Sequence, residues 1–337
     1  MTRLATTAIL MFLVAGLIGV DPGQAGPAPW KPARPITIIV PWAAGGSTDM
    51  TARIMASQME KPLGQKIVII NSPGAGGAIG MKEVWDRPRD GYTWTANSST
   101  AAISYAVLGQ LDLTHRDWLY FYSLYAPNVI AVRADSPIKD VKGLIDAMKA
   151  RPGAVTVSSA GAGSSGHLAA ETFRLAAGTT YRHIAYAGGA PAVVAAVAGE
   201  VEVVMQLSME AAEMLRAKRL RALAVMSSTP LELNEYGTIP AITTFIPNFP
   251  ETGSYFGVMV PKDLPAAVVA AVDEAFLYAA DTFTLRSFAK HMGTAHASLS
   301  GKRASDITEA KARRVAWTLF DAGLAKRSPA DLGIPKP

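Results

Sequence analysis

The chain has 337 residues, half of them apolar, a formal charge of +5 and no cysteine. The missing thiols exclude disulfides, a cysteine nucleophile and thiolate metal sites. Lysine and arginine are scattered apart from Arg216–Arg221 and Lys311–Arg314, and no basic stripe interleaved with aromatics points to nucleic acid.

The N-terminus reads as a secretory signal peptide over residues 1–25. Arg3 gives a positive start, Leu4–Val20 carries no charge, Pro22 breaks the apolar run, and Gly23-Gln24-Ala25 offers a small-x-small cleavage site. The run is short for a membrane span of about 20 residues. Cleavage leaves about 310 residues, a two-domain length that can build a core without disulfides. The expected compartment is a bacterial periplasm.

Ile36–Val40 (ITIIV) is a β-branched run with the character of a buried strand. Pro41 stops it, a small-residue turn Ala43-Ala44-Gly45-Gly46-Ser47 follows, and a helical pattern begins at Thr48. Such a turn gathers unpaired backbone N–H groups at the positive end of a helix dipole. It is a cradle for a carboxylate or phosphate, and equally an ordinary strand-to-helix connection.

Strand-like and helix-like segments then alternate, which predicts an α/β fold with largely parallel sheets. Strands are expected at Ile67–Ile70, Tyr92–Ala96 and Trp118–Tyr125, and helices at Ala78–Arg87 and Ala101–Leu108; Asn128–Val132 then leads through Asp135-Ser136-Pro137 into a helix at Lys139–Lys149. A second series has strands at Ala154–Ser158, Arg182–Ala185, Glu202–Gln206 and Arg221–Met226. Its helices are His167–Ala177, Pro191–Ala198 and Glu210–Ala217. Thr229–Pro250, with four prolines, reads as irregular connection. A strand at Tyr255–Val260 and helices at Pro265–Ala280 and Ser305–Leu324 complete the chain. This order permits two lobes: residues 34–130 with 254–337, and residues 131–253. The chain would cross between them near Val129–Arg133 and Gly253–Gly257.

With these segments in place, the sequence resembles the substrate-binding proteins of tripartite tricarboxylate transporters, the Bug family. The resemblance is carried in order by IVPWAAGGSTDMTAR, LGQKIVIINSPGAGGAIG, DGYTW, AGAGSSGHLAAETF, HIAYAGGAPAVVAAVAGEVEVVMQ, LRALAVMSS, IPAI and SYFGVMVPKDLP. It implies a two-lobed periplasmic-binding-protein fold of type II, the Venus-flytrap arrangement, with each lobe a mostly parallel sheet flanked by helices. It further implies a protein without turnover that closes on a small organic anion and passes it to membrane permease subunits. A monomer without cofactor or metal is expected. The loops matching Trp42–Asp49 and Gly163–His167 are implied to grip the ligand through amides, hydroxyls and water. Gln206 stands where many relatives carry an acid, Trp42, Ala43 and Ala44 replace the family's more usual Phe and Pro, and the ending after Ser298 is divergent.

Open α/β sheets bind ligands at the carboxyl ends of their strands. That rule and the resemblance together select Trp42, Ala43, Gly46, Ser47 and Asp49 from the first turn. They select Ala160, Gly163, Ser164, Ser165 and His167 from the turn after Ala154–Ser158. Ser98, Tyr186, Gly189 and Gln206 follow other strands. Several have a structural alternative: Ser47 and Ser98 as helix caps, Asp49 as a loop organiser with Arg53 as its i,i+4 partner, Trp42 as packing at a strand end.

Two rival readings are weaker. Gly161–Gly166 fits GxGxxG, but Tyr186 stands where a dinucleotide fold wants an acid. An exported hydrolase using Ser164 or Ser165 with a histidine lacks G-x-S-x-G, and the remaining histidines (His115, His183, His291, His296) show no metal spacing.

Overall fold

The structure is a computed structural model describing residues 29–337; the segment read as a signal peptide lies outside the described residues. The first half opens with β1 (Ile36–Val40), α1 (Ser47–Leu63), β2 (Ile67–Asn71), α2 (Ala78–Trp85), β3 (Thr93–Ser98), α3 (Ser99–Val107) and the long strand β4 (Trp118–Arg133). The second half contains α4 (Val141–Ala150), β5 (Thr156–Ser159), α5 (Ser165–Ala177), β6 (Arg182–Ala185), α6 (Gly189–Ala198), β7 (Val203–Leu207), α7 (Ser208–Arg216) and β8 (Leu220–Val225). A small hairpin, β9 (Leu231–Leu233) and β10 (Gly237–Ile239), lies in the stretch read as irregular. The chain returns through β11 (Gly253–Pro261), α8 (Ala266–Ala280), α9 (Phe283–His291), β12 (Ala295–Leu299) and α10 (Gly301–Asp321).

The strands run in the order β2-β1-β3-β11-β4-β7-β5-β6, with β8 and β12 also paired to β4. The outer trios β2-β1-β3 and β6-β5-β7 are parallel, as expected for strands joined by helical crossovers. The middle is antiparallel, because β4 and β11 carry the chain in opposite directions between the halves.

β4 is where the halves meet. Its residues up to Pro127 pair with β11, and from Asn128 onward they pair with β7 and β8. The return crossing is alongside: the Asn128 amide donates to the Thr252 carbonyl at 3.1 Å, and Gly253 lies opposite Pro127. The exchange of partners thus falls at 127/128 and 252/253.

Burial explains the apolar runs. In the second half, Ile130 and Val132 of β4 face a cluster with Val157, Phe173 and Met205, while Val129 and Ala131 face one with Val193, Val204 and Leu215. A strand covered on both faces needs no polar alternation. The first half has one large core around Ile38, Trp94, Tyr122, Phe256 and Phe276. α10 packs against α3 and α5 through Ile103, Leu168, Val315 and Leu319, and Leu332 and Ile334 of the divergent ending join that cluster. No helix among the described residues is long and apolar enough to cross a membrane.

Candidate functional site

At the seam between the halves lies a cavity of about 20 Å³, lined by Trp42, Gly46, Ser47, Thr48, Ser98 and Phe256 from the first half and by Ala160, Ser164, Ser165, Gly189, Gln206, Leu207 and Glu210 from the second. Five helix N-termini reach its wall: Ser47 opens α1, Ser98 caps α3, Ser164 caps α5, Gly189 opens α6 and Leu207 precedes α7. All five helices begin immediately after a strand or a short turn, so each aims orphan N–H groups and the positive end of its dipole at the seam. No lysine or arginine lines the cavity.

Of the residues selected from sequence, Trp42, Gly46, Ser47, Ser98, Ala160, Ser164, Ser165, Gly189 and Gln206 share this wall. Trp42 is held at the strand end: its indole N–H donates to Asn97 Oδ1 at 2.8 Å, and Asn97 in turn donates to the Tyr105 hydroxyl at 2.9 Å. Ser98 and Ser164 act as caps, accepting from the Ala101 and His167 amides at 3.1 and 3.2 Å. Ser165 Oγ donates to Asn128 Oδ1 at 3.0 Å.

Ala43, Asp49, Gly163, His167 and Tyr186 stand off the wall. The Ala43 amide donates to the Ala187 carbonyl at 3.1 Å, a contact that closes the seam from outside the cavity. Asp49 organises the loop: it accepts from the Gly45 amide at 2.9 Å and Asn71 at 3.0 Å and pairs with Arg53 at 2.9 Å. Burial raises the Asp49 carboxyl, but the hydrogen bonds from Arg53, Gly45 and Asn71 outweigh it and hold the group below its ordinary range. Gly163 packs on Leu108 and Ser104. Tyr186 turns outward, its hydroxyl donating to Glu200 at 3.0 Å.

His167 is buried behind the wall. Its Nδ1 accepts from the Gly163 amide at 3.2 Å, and its ring stacks on His183 with centroids 4.1 Å apart. Burial pushes both imidazoles down to about 4, and His167 adds to the shift of His183. The closest serine–histidine pair is Ser159 with His183 at 2.6 Å, and Ser159 is fully buried away from the cavity wall. The Ser164 and Ser165 hydroxyls partner other groups. In the folded chain the imidazoles stay neutral to about pH 4, whereas unfolded histidine takes its proton at about pH 6.5. The native state binds fewer protons in that window, so stability falls as pH drops through it, by on the order of 3 kcal/mol for His167. Imidazole NMR titration checks this: midpoints near 4 are expected, and midpoints near 6.5 would contradict it.

Glu210 was not selected from sequence. It sits in the first turn of α7, where an acid is ordinary complement to the dipole. In the fold it reaches across the seam, and its Oε1 accepts from the Ser47 amide at 2.9 Å. Its carboxylate lies against Gly189, where even a methyl group would collide with it. Burial raises its pKa against the opposing hydrogen bond from the Ser47 amide. The signal that finds it is the same strand-end rule, extended one turn past β7.

The sequence model described as tripartite tricarboxylate transporter family receptor matches residues 51–315. The chain belongs to this family. Protein BugT of Bordetella pertussis is 33% identical over 267 residues, covering 77% of this chain and 81% of the relative. The receptor also resembles the periplasmic binding protein BugD (TM-score 0.82, 24% identity, 88% of this chain and 100% of that one). A protein of R. palustris solved with adipate matches at TM-score 0.80 and 26% identity, over 87% of this chain and 99% of that one. The receptor therefore has the two-lobed fold of periplasmic binding proteins, in a family of solute-binding receptors.

Proposed function

We propose that this receptor captures a small carboxylate between its lobes, in the periplasm after removal of residues 1–25, and delivers it as a monomer to the permease subunits of a tripartite transporter without chemical turnover. The lobes are residues 34–130 with 254–337, and residues 131–253. The ligand lies against Trp42, Gly46, Ser47, Ser98, Ala160, Ser164, Ser165, Gly189 and Gln206. The adipate seen in the R. palustris protein fits this class of solute.

The observation that carries the reading is the meeting of five helix N-termini from both halves at one cavity without a basic side chain. Each N-terminus contributes about 0.3–1 kcal/mol to holding an anion, and up to about 2 where partly buried. Hydrogen bonds to a charged group add about 1.5–3 kcal/mol each. Micromolar binding needs only about 8 kcal/mol, so no arginine clamp is required.

A cavity of about 20 Å³ holds roughly one water molecule. A dicarboxylate enters only after the seam contacts Ala43–Ala187 and Ser47–Glu210 open. Closure around ligand then gains contacts from both sides, which is what shifts the population of states. A thermal-shift screen of mono-, di- and tricarboxylates, aromatic acids and acidic amino acids tests the reading. A true ligand at 100 times its Kd adds about 2.7 kcal/mol of stability; no response to any of them contradicts the solute class.

A further inference from the structure

The cavity has a mixed polarity that a plain dicarboxylate does not match. Glu210 Oε2 is buried and accepts no hydrogen bond, although Oε1 is held by the Ser47 amide. Gln206, 1% exposed, has both Nε2 and Oε1 unpartnered, and Ser47, equally buried, has an unpartnered hydroxyl. All three residues line the cavity. The wall thus holds unused donors, Gln206 Nε2 and Ser47 Oγ, beside an unused carboxyl oxygen, Glu210 Oε2.

The neighbouring acid Asp49 is already neutralised, since it is paired with Arg53. Glu210 has no such partner: among the described residues it pairs with no lysine, arginine or histidine, and none of these types lines the cavity. A buried carboxylate oxygen without a donor is costly, and a second carboxylate in contact with it would add repulsion in a medium of low dielectric. A ligand that brings its own cation removes both penalties.

We propose that Glu210 makes this receptor select a carboxylate that also carries a protonated amine. This rests on the carboxylate reading above. The ligand carboxylate takes the donors of Ser47 Oγ and Gln206 Nε2 together with the helix N-termini, and its ammonium donates to Glu210 Oε2. Opening of the seam frees Glu210 from the Ser47 amide, so one side chain serves both closure of the empty seam and ammonium recognition.

Matched pairs test this by isothermal titration at pH 7.5: glutamate against glutarate, aspartate against succinate, and 2-aminoadipate against adipate. At least one amino member is expected to bind ten-fold or more tighter than its amine-free partner. Glu210→Gln keeps the shape and removes the charge; it is expected to bring that ratio to within about two-fold, with melting of the ligand-free variant confirming that it folds. Glu210→Ser gives a second variant with the charge and the reach removed, and the same loss of preference is expected. Tighter binding of the amine-free members in the native chain overturns the proposal while leaving the carboxylate reading standing. An unchanged ratio in both variants does the same. Failure of every member of every pair to bind overturns both.

Discussion

Ser47→Pro is expected to leave the receptor folded and to weaken carboxylate binding by ten-fold or more. Ser47 is the first residue of α1, with Gly46 as its cap in an extended conformation. Proline is well tolerated at that position, because its N–H has no partner inside the helix, and an extended residue before it suits its ring. The substitution therefore removes two things without disturbing the helix: the amide that holds Glu210 across the seam and the unpartnered hydroxyl facing the cavity. A hydrogen bond to a charged group is worth about 1.5–3 kcal/mol, which is roughly ten- to a hundred-fold in affinity. Melting and titration of the same preparation check it. A variant that melts like the native chain and binds equally well would remove the α1 N-terminus from the site.

Gly166→Ala is expected to damage stability and site together. Gly166 lies in the first turn of α5, directly on β7: a methyl group there would run into the Met205 carbonyl and the Gln206 side chain. The carbonyl belongs to a strand buried between two helix layers and has no room to retreat. Overpacking of this kind costs about 1–3 kcal/mol. Relief by tilting α5 would carry Ser164 and Ser165 away from Gln206, so affinity should fall as well. Chemical denaturation measures the first effect. Unchanged stability would show that α5 does not sit on β7 as described.

Much of the fold is legible in the residues because its inner strands are covered on both faces. Runs such as Ile36–Val40 and Val203–Leu207 carry no competing polar pattern. The expected strand ends at Tyr125, whereas β4 runs on through Pro127 to Arg133. The proline stands at the end of the ladder with β11, one residue before the partners change, where its missing N–H matters least. α9 and β12 escaped reading for a different reason. α9 is short and largely polar, with few fully buried residues such as Leu285 and Ala289, and β12 pairs with β4 through a register shift. Neither element is specified locally; both are held by the first-half core.

The wall of the cavity was legible where it follows the strand-end rule, as at Ser47, Ser98, Ser164 and Gln206. Asp49 and His167 share that neighbourhood in sequence, yet the helical turn directs them to Arg53 and to His183 instead. Glu210 was hidden because its role depends on the other half of the chain, 163 residues away. An acid in a first helical turn looks ordinary until the seam brings Ser47 against it.

The central claim is tested most directly by a crystal structure of the receptor with the carboxylate that most raises its melting temperature. The account predicts that molecule at the seam, with one end within hydrogen-bond distance of Ser47 and Gln206 and contacts to both halves. A carboxylate bound instead in the wider groove of about 680 Å³ beside Trp30, Pro62 and α8, or touching one half alone, would contradict it.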